Sequence, residues 1–474
     1  MNDNRLDLIT LMPSENETIA AISTPPGAGG IGVIRMSGPR AFEVLQQIFK
    51  PRNPHCSFRS HQLYYGHILT PGADGEKKII DEVLAVYMQA PSSYTREDVV
   101  EIHCHGNFLL LQSILELLLH SPVRLAEAGE FTKRAFLNGR IDLTRAEAVI
   151  DLLSARTRKG IEIAQDQLSG RLYDRVDSIR QALVYMRAIV EVAIDFPDED
   201  KEIINHGELS LQLETRVRTP LATLLLQADQ GKIFREGITV VIAGLPNVGK
   251  SSLLNTLLQE DRALVTAIPG TTRDTIEEYV DIEGMPVRIV DTAGIRDNAE
   301  EVEELGIQRA REQIKLADIV LFMIDLARGV SAADLELFHS IQHKPVILVA
   351  NKMDLLLDGP PDLGEFRNQA TLLQISAKGQ QGITELKQAI FKRVVGNSEQ
   401  WEETGCAPNL RHKDALARAY AASGRALDGL QSGITSDLLA IDLQECLAEL
   451  DTIVGVTTTE DILDLIFKQF CLGK

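Results

Sequence analysis

The stretch Gly244-Leu-Pro-Asn-Val-Gly-Lys-Ser251 leaves this chain few options. It follows the apolar run Ile238 to Ala243 and precedes the helix-like run Leu253 to Leu258. Strand, glycine-rich loop and helix in that order, with the spacing G-x-x-x-x-G-K-[ST], predict a phosphate-binding loop. The glycines let the backbone curl until successive N–H groups aim at one point. The helix N-terminus that follows adds partial positive charge there. Lys250 is expected to reach the outer phosphates, and the Ser251 hydroxyl to ligate magnesium, with Ser252 next in the loop.

Further signals stand in the order such a domain requires. Asp291-Thr-Ala-Gly294 follows the apolar run Val287 to Val290, where an acid holds the metal through water and Gly294 offers its N–H to a γ-phosphate. Asn351-Lys-Met-Asp354 follows Val346 to Ala350. A carboxylate at that point accepts two hydrogen bonds from the N1 and 2-amino groups of guanine, which adenine does not supply. Ser376-Ala-Lys378 would complete the base pocket. The spacings therefore predict a Ras-like P-loop domain, over about 237–394, that hydrolyses GTP.

Two departures from the Ras pattern bear on mechanism. Ile295 stands after Gly294, where a water-orienting glutamine is usual, and an isoleucine polarises nothing. The stretch Glu300-Glu-Val-Glu-Glu-Leu305 offers carboxylates instead. Asn247, inside the loop, admits two readings: a monovalent-cation ligand taking the electrostatic place of an arginine finger, or an amide that stabilises the loop. Gly270-Thr-Thr-Arg-Asp274 occupies the switch position, where Thr272 would join Ser251 on magnesium.

At 474 residues the chain is too long for one core, and about three domains are expected. Mean hydropathy of -0.03 describes a soluble globular protein. Met1 to Ala20 lacks the basic flank and apolar core of a signal peptide, no run reaches membrane-spanning length, and the scattered, odd set of five cysteines reads as reduced thiols. A cytoplasmic protein without a membrane span is expected. The net charge of -20 opposes a broad nucleic-acid-binding face, so any RNA contact must be local or shared with a partner.

Residues 16–137 alternate strand and helix patterns, including strands at Thr18 to Ser23 and Ile31 to Ser37 and a helix at Phe108 to His120. Pro25 to Gly30 lacks the lysine of a phosphate loop, which leaves an anion cradle and a structural turn both open. His103-Cys-His105 lacks further ligands nearby and reads as a packed or solvated strand pair. Thr144 and Glu147 have capping-box spacing, opening a helical stretch to about Phe196; helical patterns return at 208–227, 411–430, 436–454 and 459–470. The predicted divisions are 1–138, 139–236, 237–394 and 395–474: an α+β domain, then a helical bundle with the G domain inserted into it.

Taken together, Pro246-Asn247, Gly270 to Asp274, the inserted G domain, Phe470-Cys-Leu-Gly-Lys474, Thr24 to Arg35 and Gly129 to Gly139 resemble the MnmE (TrmE) family of tRNA wobble-uridine modification GTPases over essentially the whole chain. The resemblance implies a homodimer through an N-terminal domain that binds a tetrahydrofolate derivative. It also implies a flavoprotein partner, MnmG, which carries the FAD, in a heterotetramer that modifies carbon 5 of the wobble uridine of tRNA. Potassium between apposed G domains would accelerate hydrolysis of GTP. By this resemblance nucleotide contacts fall on Asn247, Val248, Gly249, Lys250, Ser251 and Ser252, on Thr266, Ala267, Ile268, Pro269, Gly270, Thr271 and Thr272, on Asp291, Thr292, Ala293 and Gly294, on Asn351, Lys352, Met353 and Asp354, and on Ser376, Ala377 and Lys378. It puts potassium on Asn247, Thr266, Ile268 and Thr271, and magnesium on Ser251 and Thr272. The water-orienting carboxylate maps to Glu303, and folate contacts map to Arg35, Glu101, Arg140 and Lys474. Arg140 stands where lysine is familiar, and Pro269 restricts Ile268 to extended backbone. Cys471 is either a reactive thiol beside the folate site or a small apolar residue packing the last helix. An Era-like ribosome-assembly switch and a dynamin-like membrane scaffold are the other classes weighed; the basic RNA-binding domain of the first and the basic amphipathic helix of the second are not found in the sequence.

Overall fold

The computed structural model describes residues 17–71, 77–196, 204–261, 278–291, 312–356, 363, 366, 372–396 and 406–473. Among these residues the chain divides into two units, one up to Ile150 together with Ala448 onward, the other from Asp151 to Leu447.

The first unit is built on a seven-stranded sheet. Its strands are β1 (Thr18–Ile22), β2 (Gly29–Ser37), β3 (Phe49–Pro51), β4 (Gln62–Pro71), β5 (Lys77–Met88), β6 (Val99–Gly106) and β7 (Val123–Leu125), in the order β3-β4-β5-β6-β2-β1-β7. Alternate residues of β5 and β6 are buried, as expected for strands with one covered face. That face carries α1 (Ala41–Ile48) and α2 (Phe108–Leu119), whose Val44, Leu45, Leu111 and Ile114 pack on Ile34, Ile68, Ala85 and Ile102. The chain bends at Pro26 and Gly27, and Gly29 and Gly30 already belong to β2, so the glycine-rich run serves strand entry.

On the other face, α3 (Glu130–Leu137) covers Ile19 and Ala21 with Phe131. This helix is tied down by a buried charge cluster. Burial alone would raise the Glu130 carboxyl pKa, but Arg124, Arg134 and the Glu127 N–H hold it below the usual carboxylate range. The helix α14 (Glu460–Phe467) packs Leu463, Ile466 and Phe467, with Phe470, onto Leu143 and Ala146 of α4 (Leu143–Ser154). Asp142 caps α4: its carboxylate accepts from the Arg145 N–H at 3.0 Å, and Thr144 lies inside the helix. In place of the expected Thr144 capping box the helix has a simple cap two residues earlier, where a carboxylate is the stronger acceptor.

The expected single run of helix to Phe196 is broken twice. α4 ends before Thr157, which caps α5 (Arg158–Ser169), and Gly170 separates α5 from α6 (Arg171–Asp195). α7 (His206–Leu213) continues through a π turn at Glu214–Arg218 into α8 (Thr219–Glu236). After the nucleotide domain the helices resume with α12 (Leu410–Ser432) and α13 (Ser436–Val454). Arg218 links the two runs, lying 4.5 Å from the Tyr420 ring centroid and donating to Ser423. The numbers α9 (Lys250–Asp261), α10 (Ala332–Ile341) and α11 (Ile383–Val395) belong to the inserted domain.

That domain holds β8 (Ile238–Ala243), β9 (Tyr279–Ile282), β10 (Met285–Asp291), β11 (Ile319–Asp325), β12 (Val346–Asn351) and β13 (Leu372–Gln374), ordered β13-β12-β11-β8-β10-β9. All pairs are parallel except β9 with β10. Its central strands are near-continuous apolar runs because helices cover both faces. Ile163 of α5 and Phe234 of α8 join the core of this sheet.

The β9–β10 hairpin also rests on the α4–α5 joint. Thr157 Oγ1 donates to the Gly284 carbonyl at 2.8 Å while accepting from the Gly160 N–H, and Arg156 lies 3.6 Å from the Tyr279 ring centroid. Thr157→Val removes a cap and a buried hydrogen bond together, so we expect a loss of about 2 kcal/mol. Urea unfolding followed by circular dichroism checks it; an unchanged midpoint would mean the hairpin does not lean on this hydroxyl.

Candidate nucleotide-binding site

The phosphate loop emerges from β8 and ends on the N-terminus of α9. Asn247 and Gly249 both take positive φ, 63° and 103°, which turns consecutive amides of the loop inward. Lys250 is buried, and its ammonium donates to the Gly244 and Leu245 carbonyls, each at 3.0 Å. The charge is thereby held beneath the loop, within reach of a phosphate lying on it. Ser251 Oγ donates to Asp291 Oδ2 at 2.8 Å. A hydroxyl at the head of a helix and a carboxylate at the end of β10 therefore converge, the oxygen donor chemistry that magnesium takes. The Asn247 side chain is exposed and makes no hydrogen bond among the described residues.

The base side is assembled by one buried amide. Asn351 Nδ2 donates to the Val248 carbonyl at 2.8 Å, and its Oδ1 accepts from the Ala377 N–H at 2.9 Å. Asn351 thus joins the phosphate loop to the loop of Ser376, Ala377 and Lys378, and acts by holding them at fixed spacing. Thr256 of α9 donates to the Ala377 carbonyl at 2.8 Å, a second tie between them. Ser376 is fully buried and donates to Asp354 Oδ1 at 2.6 Å, aiming an otherwise exposed carboxylate. Lys352 sits at φ 69° and pairs with Asp325 at 2.7 Å. Met353 starts a short 3-10 turn, and Ser252 faces solvent. Thr266, Ala267, Ile268, Pro269, Gly270, Thr271, Thr272, Thr292, Ala293, Gly294, Glu303 and Lys474 lie outside the described residues.

In the first unit a second constellation forms around Tyr94. Arg35 forks onto Glu101, with both guanidinium contacts at 2.8 Å, and lies 6.0 Å from the Tyr94 ring centroid. Arg140 lies 4.7 Å from the same centroid and donates to the Tyr94 carbonyl at 3.1 Å. The chain end folds back here: Leu472 bridges to Ala128, and the Gly473 carbonyl accepts from Ser23 at 3.2 Å and from Arg35 at 3.4 Å. Cys471 is exposed, so it does not pack the last helix. His103 contacts Glu101 and His105 contacts Asp81, with Cys104 buried between them on the opposite face and its thiol pushed up to about 12 by burial. No group of three or more metal-ligating acids, histidines or cysteines occurs among the described residues.

With this geometry in view, two family descriptions match: "GTP-binding protein TrmE N-terminus" over residues 18–140 and "MnmE helical domain" over residues 143–471. The chain belongs to the MnmE (TrmE) family. A relative from Desulfotalea psychrophila named tRNA modification GTPase MnmE is 59% identical over 466 residues, covering 97% of this chain and 99% of its own. Relatives of the same name from Clostridioides difficile and Carboxydothermus hydrogenoformans are 46% and 45% identical, with the same coverage. Among solved structures, Era from Aquifex aeolicus is 29% identical over 39% of this chain and 66% of its own, at a TM-score of 0.27. The G domain of T. maritima FeoB is 23% identical over 33% of this chain and 98% of its own, at 0.26.

Two residues of these sites, Asp325 and Tyr94, belong to none of the sequence motifs. Asp325 was detectable as the polar end of an apolar strand, Ile319 to Asp325. Tyr94 carries no local signal, because its place is set by contacts far away in sequence. No helix among the described residues is long and apolar enough to cross a membrane.

Proposed function

We propose that this chain couples GTP hydrolysis to the modification of a wobble uridine in tRNA. It is a GTP hydrolase of tRNA modification, as its family membership and relatives support. The observation that carries the reading is Asn351, whose one buried amide holds the phosphate loop and the base-side loop in a single frame. Within that frame Lys250 would meet the outer phosphates and Asp354 would read the guanine edge, with Ser376 keeping that carboxylate oriented. Ser251 and Asp291, with Thr272, would hold magnesium, which supplies charge to the β- and γ-phosphate oxygens when bound. The unpartnered amide of Asn247, with Thr266, Ile268 and Thr271, would hold potassium, and Glu303 would orient the attacking water.

The remainder of the reading concerns the first unit and its partners. Arg35, Glu101, Arg140 and Lys474 would bind a tetrahydrofolate derivative as one-carbon donor, with Cys471 beside it. The crowding of Arg35, Glu101 and Arg140 around Tyr94 supports this. The protein would work in the cytoplasm as a homodimer, with a flavoprotein partner of the MnmG type that carries the FAD. We read the chain as 1–138 for folate and dimerisation, 139–236 and 395–474 for the helical body, and 237–394 for the G domain.

GTP hydrolysis in matched potassium and sodium buffers tests the cation arrangement. Turnover is expected to be at least about tenfold faster in potassium, the scale of one added electrostatic contact in the transition state. Asn247→Ala should erase that difference while keeping GDP binding. Equal rates of the unsubstituted protein in both salts would sink the potassium reading and leave the GTPase itself standing.

A further inference from the structure

The chain has a net charge of -20, yet no aspartate or glutamate falls between Glu43 and Asp74. That stretch holds Lys50, Arg52 and Arg59 and three of the ten histidines, His55, His61 and His67. It forms β3, the loop after it and β4, and β3 is the outermost strand of the seven-stranded sheet. Lys50, Arg52, His55 and Arg59 are exposed, and none of the three strong cations has a carboxylate partner among the described residues. Elsewhere cations of this protein are engaged: Arg124 and Arg134 on Glu130, Arg425 on Asp442 and Glu445.

The cations are also presented in order. Lys50 stands opposite His67 in the strand register, so both point to one face. Arg52 lies 5.5 Å from the Tyr65 ring centroid, and the His67 ring is 6.2 Å from that of Tyr65. The guanidinium also hydrogen-bonds the Tyr65 hydroxyl, and with five N–H donors it still has N–H groups to offer a phosphate. The loop carrying Arg59 is fixed by Phe58, which packs on Phe42 and Tyr64, and by the Arg59 N–H donating to Tyr64 Oη at 2.6 Å. Glu82, opposite His67, is the carboxylate that faces the group, and it accepts from the Tyr65 hydroxyl. Protection of an edge strand against stray pairing explains one lysine, but not an acid-free loop with a stacked arginine.

We infer that this sheet edge binds the phosphate backbone of RNA, and so supplies the local cationic contact that an acidic tRNA-modifying enzyme requires. Three strong cations spaced along an edge strand and its loop suit successive phosphates, and the Arg52–Tyr65 stack offers a face to an unpaired base. The inference rests on tRNA being the object of the enzyme, and it is independent of the nucleotide site.

The test uses the full chain, an unmodified tRNA transcript and fluorescence anisotropy across a potassium chloride series. The triple variant K50Q/R52Q/R59Q is expected to bind roughly tenfold or more weakly, with the slope of log affinity against log salt reduced by about 2 to 3. R171Q/R187Q/R425Q, which removes the same charge from the other unit, should bind as the unsubstituted protein does. GTP turnover should be unchanged in both, and its loss from the unsubstituted protein would instead fault the GTPase reading. The inference is overturned if the K50Q/R52Q/R59Q protein keeps the full affinity and slope, or if the unsubstituted chain does not bind the transcript. It is equally overturned if the triple variant alters self-association and leaves RNA binding intact, which would make the edge a contact between copies.

Discussion

Gly249→Ala should destabilise the protein by about 3–5 kcal/mol and lower its guanine-nucleotide affinity by at least about 100-fold. The glycine sits at φ 103°, and a Cβ built there meets Asn351 Nδ2 at 2.2 Å. Backbone strain contributes roughly 1–3 kcal/mol. The larger effect is on Asn351, which is buried and cannot move without releasing the Val248 carbonyl and the Ala377 N–H together. Each buried group left without a partner costs about 1–3 kcal/mol. The phosphate loop and the base-side loop lose their common anchor in the same step, so binding falls with stability. Gly396→Ala is the control: its φ is 73°, but nothing lies within 4 Å of the new Cβ, so strain acts without the clash. Thermal unfolding and fluorescent GDP titration of the two variants separate the terms. If Gly249→Ala behaves as Gly396→Ala does, Asn351 is not the anchor described here.

The second large effect is on base choice. Asp354→Asn should cut GTP affinity by roughly 10² to 10³-fold, or about 3–4 kcal/mol, and raise affinity for a xanthine nucleotide. In the proposed reading the carboxylate would accept from both N1–H and the 2-amino group of guanine. An amide keeps one acceptor and sets an N–H₂ against the 2-amino group, whereas xanthine carries a carbonyl there that the amide can donate to. Ser376 holds one carboxylate oxygen at 2.6 Å and is itself fully buried, so the side chain at 354 has little freedom to turn away. Competition of GTP and xanthosine triphosphate for a fluorescent nucleotide reads the switch. Unchanged preference would place base recognition on another group and leave Asp354 a loop residue.

Much of the nucleotide domain was legible because its signals are short and local. A strand, the loop Gly244 to Gly249 and a helix carry the phosphate site within the span of Ile238 to Leu258. The same holds for Asp291, Asn351, Asp354 and Ser376, each at the end of an apolar run. The joint at Thr157 was not legible: periodicity runs through α4 and α5, and only the packing of Gly284 against that hydroxyl explains the break. The cap of α4 was misplaced for a related reason, since Thr144 and Asp142 both satisfy the local rule and the geometry favours the carboxylate.

From the sequence alone came the class of nucleotide, the order of the segments and the family resemblance, all of which depend on residue type at fixed spacing. Tertiary structure decided which functions those residues hold together. Asn351 stands in a base-side motif in sequence, and the structure adds that its amide braces two loops more than a hundred positions apart. Gly473 meets Arg35 and Ser23 across nearly the whole length of the chain. The acid-free stretch after Glu43 is a matter of composition, whereas the place of β3 at the sheet edge and of Arg52 beside Tyr65 is tertiary. Spacing along a chain encodes what a loop and its flanking elements do; contacts between distant segments are set by the packing of whole sheets and helices, which no local pattern records.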